Sequence, residues 1–156
     1  RPLRHGDVLP TDEGDLVTID TPGHARHHVA FHWPARRALF AGDLLLGRGA
    51  TTWVGEYSGC VADYLSSLER IRGLGLDVIY PAHGSPLDDP TEAIDRYESH
   101  RLDRIRQMEQ ALREQPGVEE GDLLDLVYGG DVPDGMREAA LLSVRALMEH
   151  VGYPRP

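Results

Sequence analysis

Apolar and polar positions alternate in short runs over the first part of the chain, then recur every third or fourth residue beyond Asp89-Pro90. Before that junction, residues 15–19 (DLVTI), 28–33 (HVAFHW), 38–42 (ALFAG) and 77–81 (DVIYP) read as strands, broken by glycine and proline. The PARR segment between the second and third is a hairpin connection. One helix interrupts them over about residues 61–74, where Val61, Leu65, Leu68, Ile71 and Leu74 fall three or four apart. Beyond the junction the period predicts a long helix over about residues 91–114, with Ile94, Tyr97, Leu102, Ile105, Met108 and Leu112 on its apolar stripe. Pro116-Gly117 ends it. A short helix in EEGDLLDLVYG stops at Gly129-Gly130, and a third runs over about residues 135–151 until Gly152. The pattern is an α/β unit over residues 1–89 followed by a three-helix, winged-helix-like unit over residues 90–156.

Composition narrows this picture modestly. At 156 residues and 40% hydrophobic content the chain has the material for one ordinary domain, or one plus a small appendage. The formal charge of −10 opposes general affinity for polyanions. Every one of the 16 basic residues is arginine, and no block of them stands apart from nearby acids. Cys60 is the single cysteine, so no disulfide forms within the chain, and an intracellular, cytoplasmic protein is expected. No apolar run reaches the roughly 18 residues of a spanning helix, and the first ten residues lack the apolar stretch of a signal peptide, so neither membrane insertion nor export is expected.

The chemistry gathers at strand ends. Four histidines, His24, His27, His28 and His32, fall within nine positions, and TPGH, AGD and PAHG each close a strand with a tight turn carrying a potential ligand: His24, Asp43 and His83. Imidazole and carboxylate together suit zinc, iron or manganese. The competing reading of each is a polar turn residue that caps a strand.

Taken in order, TPGHARHH, FAGDLLL and YPAHG resemble the later metal-binding motifs of the metallo-β-lactamase-fold hydrolases. The likeness continues through YPAHGSP, YESHRLDRIRQMEQAL and AALLSVRALMEHV, which resemble the β-lactamase-like-2 subfamily and its winged-helix-like C-terminal domain. This resemblance implies the second half of an αββα sandwich, with His24 on a first zinc, His83 on a second and Asp43 bridging the two. It also implies a further HxHxDH motif, and that string does not occur in these residues. In the complete enzyme two zinc ions activate a hydroxide that attacks a thioester, lactone, lactam or phosphodiester. Three ligands alone are too few to close a tight site. The expectation is therefore the C-terminal portion of a dinuclear zinc hydrolase that is inactive by itself, with no catalytic group here beyond the ligands. The alternative is a non-catalytic binding module that retains remnants of the site.

A half-sandwich would leave its second sheet face in water. The expected cover is the first half supplied by another chain, a second copy of this one, or a rearrangement of the chain. Small acyl compounds or RNA are the expected substrates of the complete enzyme, and DNA is not. The segment from Pro116 to Asp134 holds six acidic residues and no basic one, the reverse of a phosphate-facing surface. His28 is expected beside the ligands, bonded to one of them or to backbone. Tyr97, His100 and Arg101 could stand at a substrate entrance, though docking of the long helix onto the first unit is the stronger reading. The loop 47–53 (GRGATTW) lacks the lysine of a phosphate-binding loop and is read as flanking the site.

Overall fold

A computed structural model describes residues 2–47, 49, 51–129 and 132–153. Gly130 of the predicted helix stop, Asp131 of the acidic segment, and Arg48 and Ala50 of the 47–53 loop lie outside them. A single five-stranded sheet, β1 (Val8–Leu9), β2 (Leu16–Asp20), β3 (Val29–Trp33), β4 (Ala38–Gly42) and β5 (Val78–Pro81), has its strands in sequential order. The first four strands pair antiparallel, and β5 joins β4 in parallel after a crossover through α1 (Cys60–Arg72). A parallel neighbour requires such a crossover, because a tight turn can only reverse the chain. The PARR connection is a short 3₁₀ turn at Pro34–Arg36, and Arg37 leaves it in the left-handed region at φ 47°.

Alternation divides the sheet into two unlike faces. Ile19, Ala30, Leu39, Ala41 and Ile79 point into a core shared with Tyr64, Leu68 and Ile71 of α1. On the opposite face Phe31 pairs with Phe40, and Phe40 with Tyr80. Trp33 stacks on Phe40 at 6.1 Å and Phe40 on Tyr80 at 5.4 Å between ring centroids. Phe40 and Tyr80 remain 37% and 38% exposed, so an aromatic band crosses three strands in contact with water.

Three helices follow: α2 (Pro90–Glu114), α3 (Glu120–Tyr128) and α4 (Arg137–His150). The α2 start combines Asp89, whose carboxylate accepts from the Glu92 amide, with a proline in the first turn, where a missing N–H costs nothing. No strand forms beyond Pro81 among the described residues, so the three helices carry no wing hairpin there. The buried core is continuous from the sheet and α1 into all three helices. On α2 the buried positions Ile94, Tyr97, Arg101, Ile105, Met108 and Leu112 keep helical phase, which puts Arg101 inside and leaves Leu102 exposed. That departs from the expected stripe at Leu102 alone, because phase outranks polarity when a long side chain finds an acceptor and an aromatic face inside. No described helix is long and apolar enough to cross a membrane.

Candidate functional site

The three candidate turns leave the same end of the sheet, after β2, β4 and β5, which run in one direction. His24 follows Gly23, which sits at φ 136° so close to α1 that a Cβ there would lie 2.6 Å from the Tyr64 Cα. The TPGH turn is thereby pressed against the helix. The His24 Nδ1 donates to the Trp53 carbonyl at 2.9 Å, because a carbonyl can only accept. The neutral ring then carries its lone pair on Nε2, the arrangement of an imidazole prepared for a metal by a backbone partner.

Asp43 is pinned through its backbone on both sides. Its amide donates to His28 Nε2 at 3.1 Å, and its carbonyl accepts from the Thr52 hydroxyl at 2.9 Å. With Nε2 accepting, His28 carries its proton on Nδ1, 2.8 Å from the Thr21 hydroxyl oxygen. Both ring nitrogens are spent. Burial, then the neighbouring His24, pushes the His28 pKa down and favours this neutral form. His28 therefore holds the AGD turn and has no lone pair left for a metal. Gly42 makes this contact possible: at φ 56° its missing Cβ would lie 2.5 Å from His28 Nε2.

The PAHG loop is tied to the same turn, with Ala82 donating to the Gly42 carbonyl and Gly47 to the His83 carbonyl, each at 2.9 Å. His83 Nε2 stands 3.6 Å from Asp43 Oδ1, with side-chain exposures of 77% and 36%. Two donors that far apart suit one ion about 2.0–2.1 Å from each. The His24 ring lies 6.2 Å from that of His28 between centroids, edge to face. No set of three or more metal-ligating side chains fits a single ion among the described residues. Asp43 and His83 thus suit two ligands of a metal in kind and in spacing, which is short of a closed centre.

The remaining candidates divide. The Tyr97 hydroxyl accepts from the Leu46 amide at 2.8 Å and donates to the Leu46 carbonyl at 3.0 Å. Arg101 is 4% exposed, donates from Nη2 to the Thr52 carbonyl at 3.1 Å, and lies 5.3 Å over the Tyr64 ring. Both clamp the loop after Asp43 onto α2. His100 is half-buried and lines a cavity beside Trp53. His27 is exposed and His32 half-buried on β3. The residue that sequence reasoning missed is Trp53. It bridges His24 to α4 by donating its indole N–H to the Ala139 carbonyl at 2.7 Å, and a tryptophan within an otherwise small, polar loop was the available signal.

Comparison with known proteins supplies the family. The model of the metallo-beta-lactamase superfamily matches residues 1–83. A beta-lactamase-like protein 2 homolog of Caenorhabditis elegans is 35% identical over 144 residues, covering 92% of this chain and 47% of that protein. Its Drosophila melanogaster counterpart is 29% identical over 145 residues with the same coverage. Among solved structures, a beta-lactamase domain protein from Burkholderia ambifaria superposes with a TM-score of 0.86 at 25% identity, over 97% of this chain and 47% of its own. A metallo-beta-lactamase family protein from Thermus thermophilus gives 0.79 at 28% identity, over 97% and 49%. The chain spans about half the length of these relatives.

Proposed function

The chain belongs to the metallo-β-lactamase superfamily, and we propose that His24, Asp43 and His83 are its share of the dinuclear zinc centre of a hydrolase. The observation that carries this reading is the Asp43–His83 approach of 3.6 Å, on a turn whose backbone is held by His28 and Thr52. A metal held there supplies a Lewis acid and a water acidic enough to act as a nucleophile near neutral pH. The chain's own part is to orient: Trp53 sets the His24 tautomer, and His28 and Thr52 fix the direction of the Asp43 carboxylate. The remaining ligands come from an HxHxDH-bearing first half-sandwich, whose sheet covers the aromatic band of Phe31, Trp33, Phe40 and Tyr80. Without it the chain binds metal weakly and does not turn over. The three C-terminal helices line the entrance.

The same exposed band supports a second reading, a binding module whose open sheet face meets a partner and whose ligand residues do no chemistry. One experiment separates them. The chain is mixed with a separately produced first half carrying HxHxDH, zinc is added, and hydrolysis of thioester, lactone and RNA substrates is followed. Turnover that appears only in the mixture and disappears with Asp43→Ala supports the hydrolase. A stable complex with bound zinc and no turnover on any of these substrates supports the module.

A further inference from the structure

Between β4 and α1 the chain makes a loop whose residues 52–58 reach the candidate ligand turns on one side and the C-terminal helices on the other. Toward the turns, the Trp53 carbonyl accepts from His24 Nδ1 at 2.9 Å, and the Thr52 hydroxyl donates to the Asp43 carbonyl at 2.9 Å. Farther along, Glu56 accepts from the Arg26 amide at 2.9 Å, and the Arg26 guanidinium lies 4.4 Å over the Tyr57 ring. Toward the helices, the Thr52 carbonyl accepts from Arg101 Nη2 of α2 at 3.1 Å, and the Trp53 indole donates to the Ala139 carbonyl of α4 at 2.7 Å. Gly55 packs directly on α4, where a Cβ would lie 2.8 Å from the backbone of Leu142 and Ser143. Ser58 adds a hydrogen bond to Glu149 in the last turn of that helix. Thr52 and Trp53 thus each hold a ligand-bearing turn with one group and are held by a C-terminal helix with another.

We infer that Thr52 and Trp53 form a bracket through which α2 and α4 set the positions of His24 and Asp43, so that Arg101 and the Trp53 indole are positioning residues of the metal centre. The inference rests on the ligand reading of His24 and Asp43 for what is positioned, and on these hydrogen bonds for how. The bracket is shielded from water: Thr52 and Arg101 are each 4% exposed, and hydrogen bonds made where water does not compete hold their geometry more firmly. Arg101 is a cation kept inside, where it meets the Thr52 carbonyl and the Tyr64 ring. Burying a charge is costly, and an apolar side chain would fill the space without that cost. What the arginine adds is a fixed donor to Thr52. On the other arm, a displacement of α4 moves Trp53, and with it the carbonyl that keeps the His24 proton on Nδ1 and leaves Nε2 free for a metal.

The first test needs no metal. In the isotopically labelled, metal-free chain at about pH 8, where histidines are neutral, long-range proton–nitrogen spectra report which ring nitrogen carries the proton. His24 should carry it on Nδ1. Trp53→Phe, which deletes the indole N–H and keeps a ring, and Gly55→Ala, which forces α4 off the loop, should each turn His24 into a mixture of both tautomers. With an HxHxDH-bearing first half added, the same substitutions should weaken zinc binding by about 10–100-fold, the range for losing a partner behind a metal ligand. Arg101→Met, which fills the space without a donor, should weaken zinc binding likewise, and Arg101→Lys should recover part of the loss. Leu123→Ala is the control, since it empties a fully buried position on α3, which none of these hydrogen bonds reaches. It should lower stability in urea while leaving the His24 tautomer unchanged and zinc affinity within about twofold. A lost tautomer with weaker zinc binding in either loop variant, and an unaffected control, supports the inference. A single tautomer retained in both, an equal effect in the control, or zinc affinity unchanged despite a lost tautomer would overturn it, and zinc affinity indifferent to Arg101→Met would overturn it for Arg101. A mixture that binds no zinc at all defeats the ligand reading instead, while the metal-free spectra still decide whether the bracket holds His24.

Discussion

Replacing Gly42 with alanine puts a methyl group where the His28 imidazole now sits, 2.5 Å from Nε2, on a residue at φ 56°. Two costs follow. Holding an alanine in the left-handed region costs about 1–2 kcal/mol. Driving His28 away strips the Asp43 amide of its acceptor, and an unsatisfied buried polar group costs about 1–3 kcal/mol. The sum of about 2–5 kcal/mol corresponds, at about 2–4 °C per kcal/mol for a chain of this size, to a fall in Tm of about 4–20 °C. Thermal unfolding followed by circular dichroism measures it. The two parts separate in a His28→Ala background, where the imidazole is gone and Gly42→Ala should cost only its backbone share, leaving a coupling of about 1–3 kcal/mol between the positions. A cost below about 0.5 kcal/mol, or an equal cost in both backgrounds, would refute the claim that His28 positions the AGD turn through this contact.

Tyr97→Phe removes both hydrogen bonds to Leu46 and should lower stability by about 1–3 kcal/mol in urea unfolding, whereas an entrance residue with no structural tie would leave it unchanged. The His100 pKa is lowered by burial and then by Arg104 and Arg101, so the unfolded chain takes up that proton first as pH falls past the ordinary value of 6.5. Stability should therefore decline between pH 7.5 and 5.5, and His100→Gln should make that decline shallower; parallel profiles for the two proteins would contradict the assignment. The paired change Phe40→Lys and Tyr80→Lys should reduce both self-association in sedimentation runs and binding of a first half-sandwich by at least about tenfold, while leaving the circular dichroism spectrum unaltered.

Periodicity carried most of the fold. The strands over residues 15–19, 28–33 and 77–81 lie within one residue of β2, β3 and β5, and residues 38–42 coincide with β4, because each has branched or aromatic residues bounded by breakers. The two-residue β1 has too few positions to show any alternation. The α4 start was placed two residues early, since a 3₁₀ turn at Asp134–Met136 precedes Arg137 and shares its local pattern. Burial of Arg101 was illegible for a different reason: it depends on Thr52 and Tyr64, 49 and 37 positions away. At the site, residue type and turn chemistry singled out His24, Asp43 and His83. What holds them was less visible, because the Trp53 carbonyl and the Asp43 amide are backbone groups, and no sequence pattern names which carbonyl or amide a side chain will meet.

The central claim is that two imidazoles and one carboxylate of this chain are ligands of a shared metal centre. The most direct measurement is an anomalous difference map at the zinc edge, from crystals of the chain bound to an HxHxDH-bearing first half and grown with zinc. The account predicts zinc within about 2.0–2.2 Å of Asp43, with His24 and His83 each completing the coordination of an ion there. Zinc found only at other residues, with Asp43 and His83 further apart than any ion could span, would contradict it.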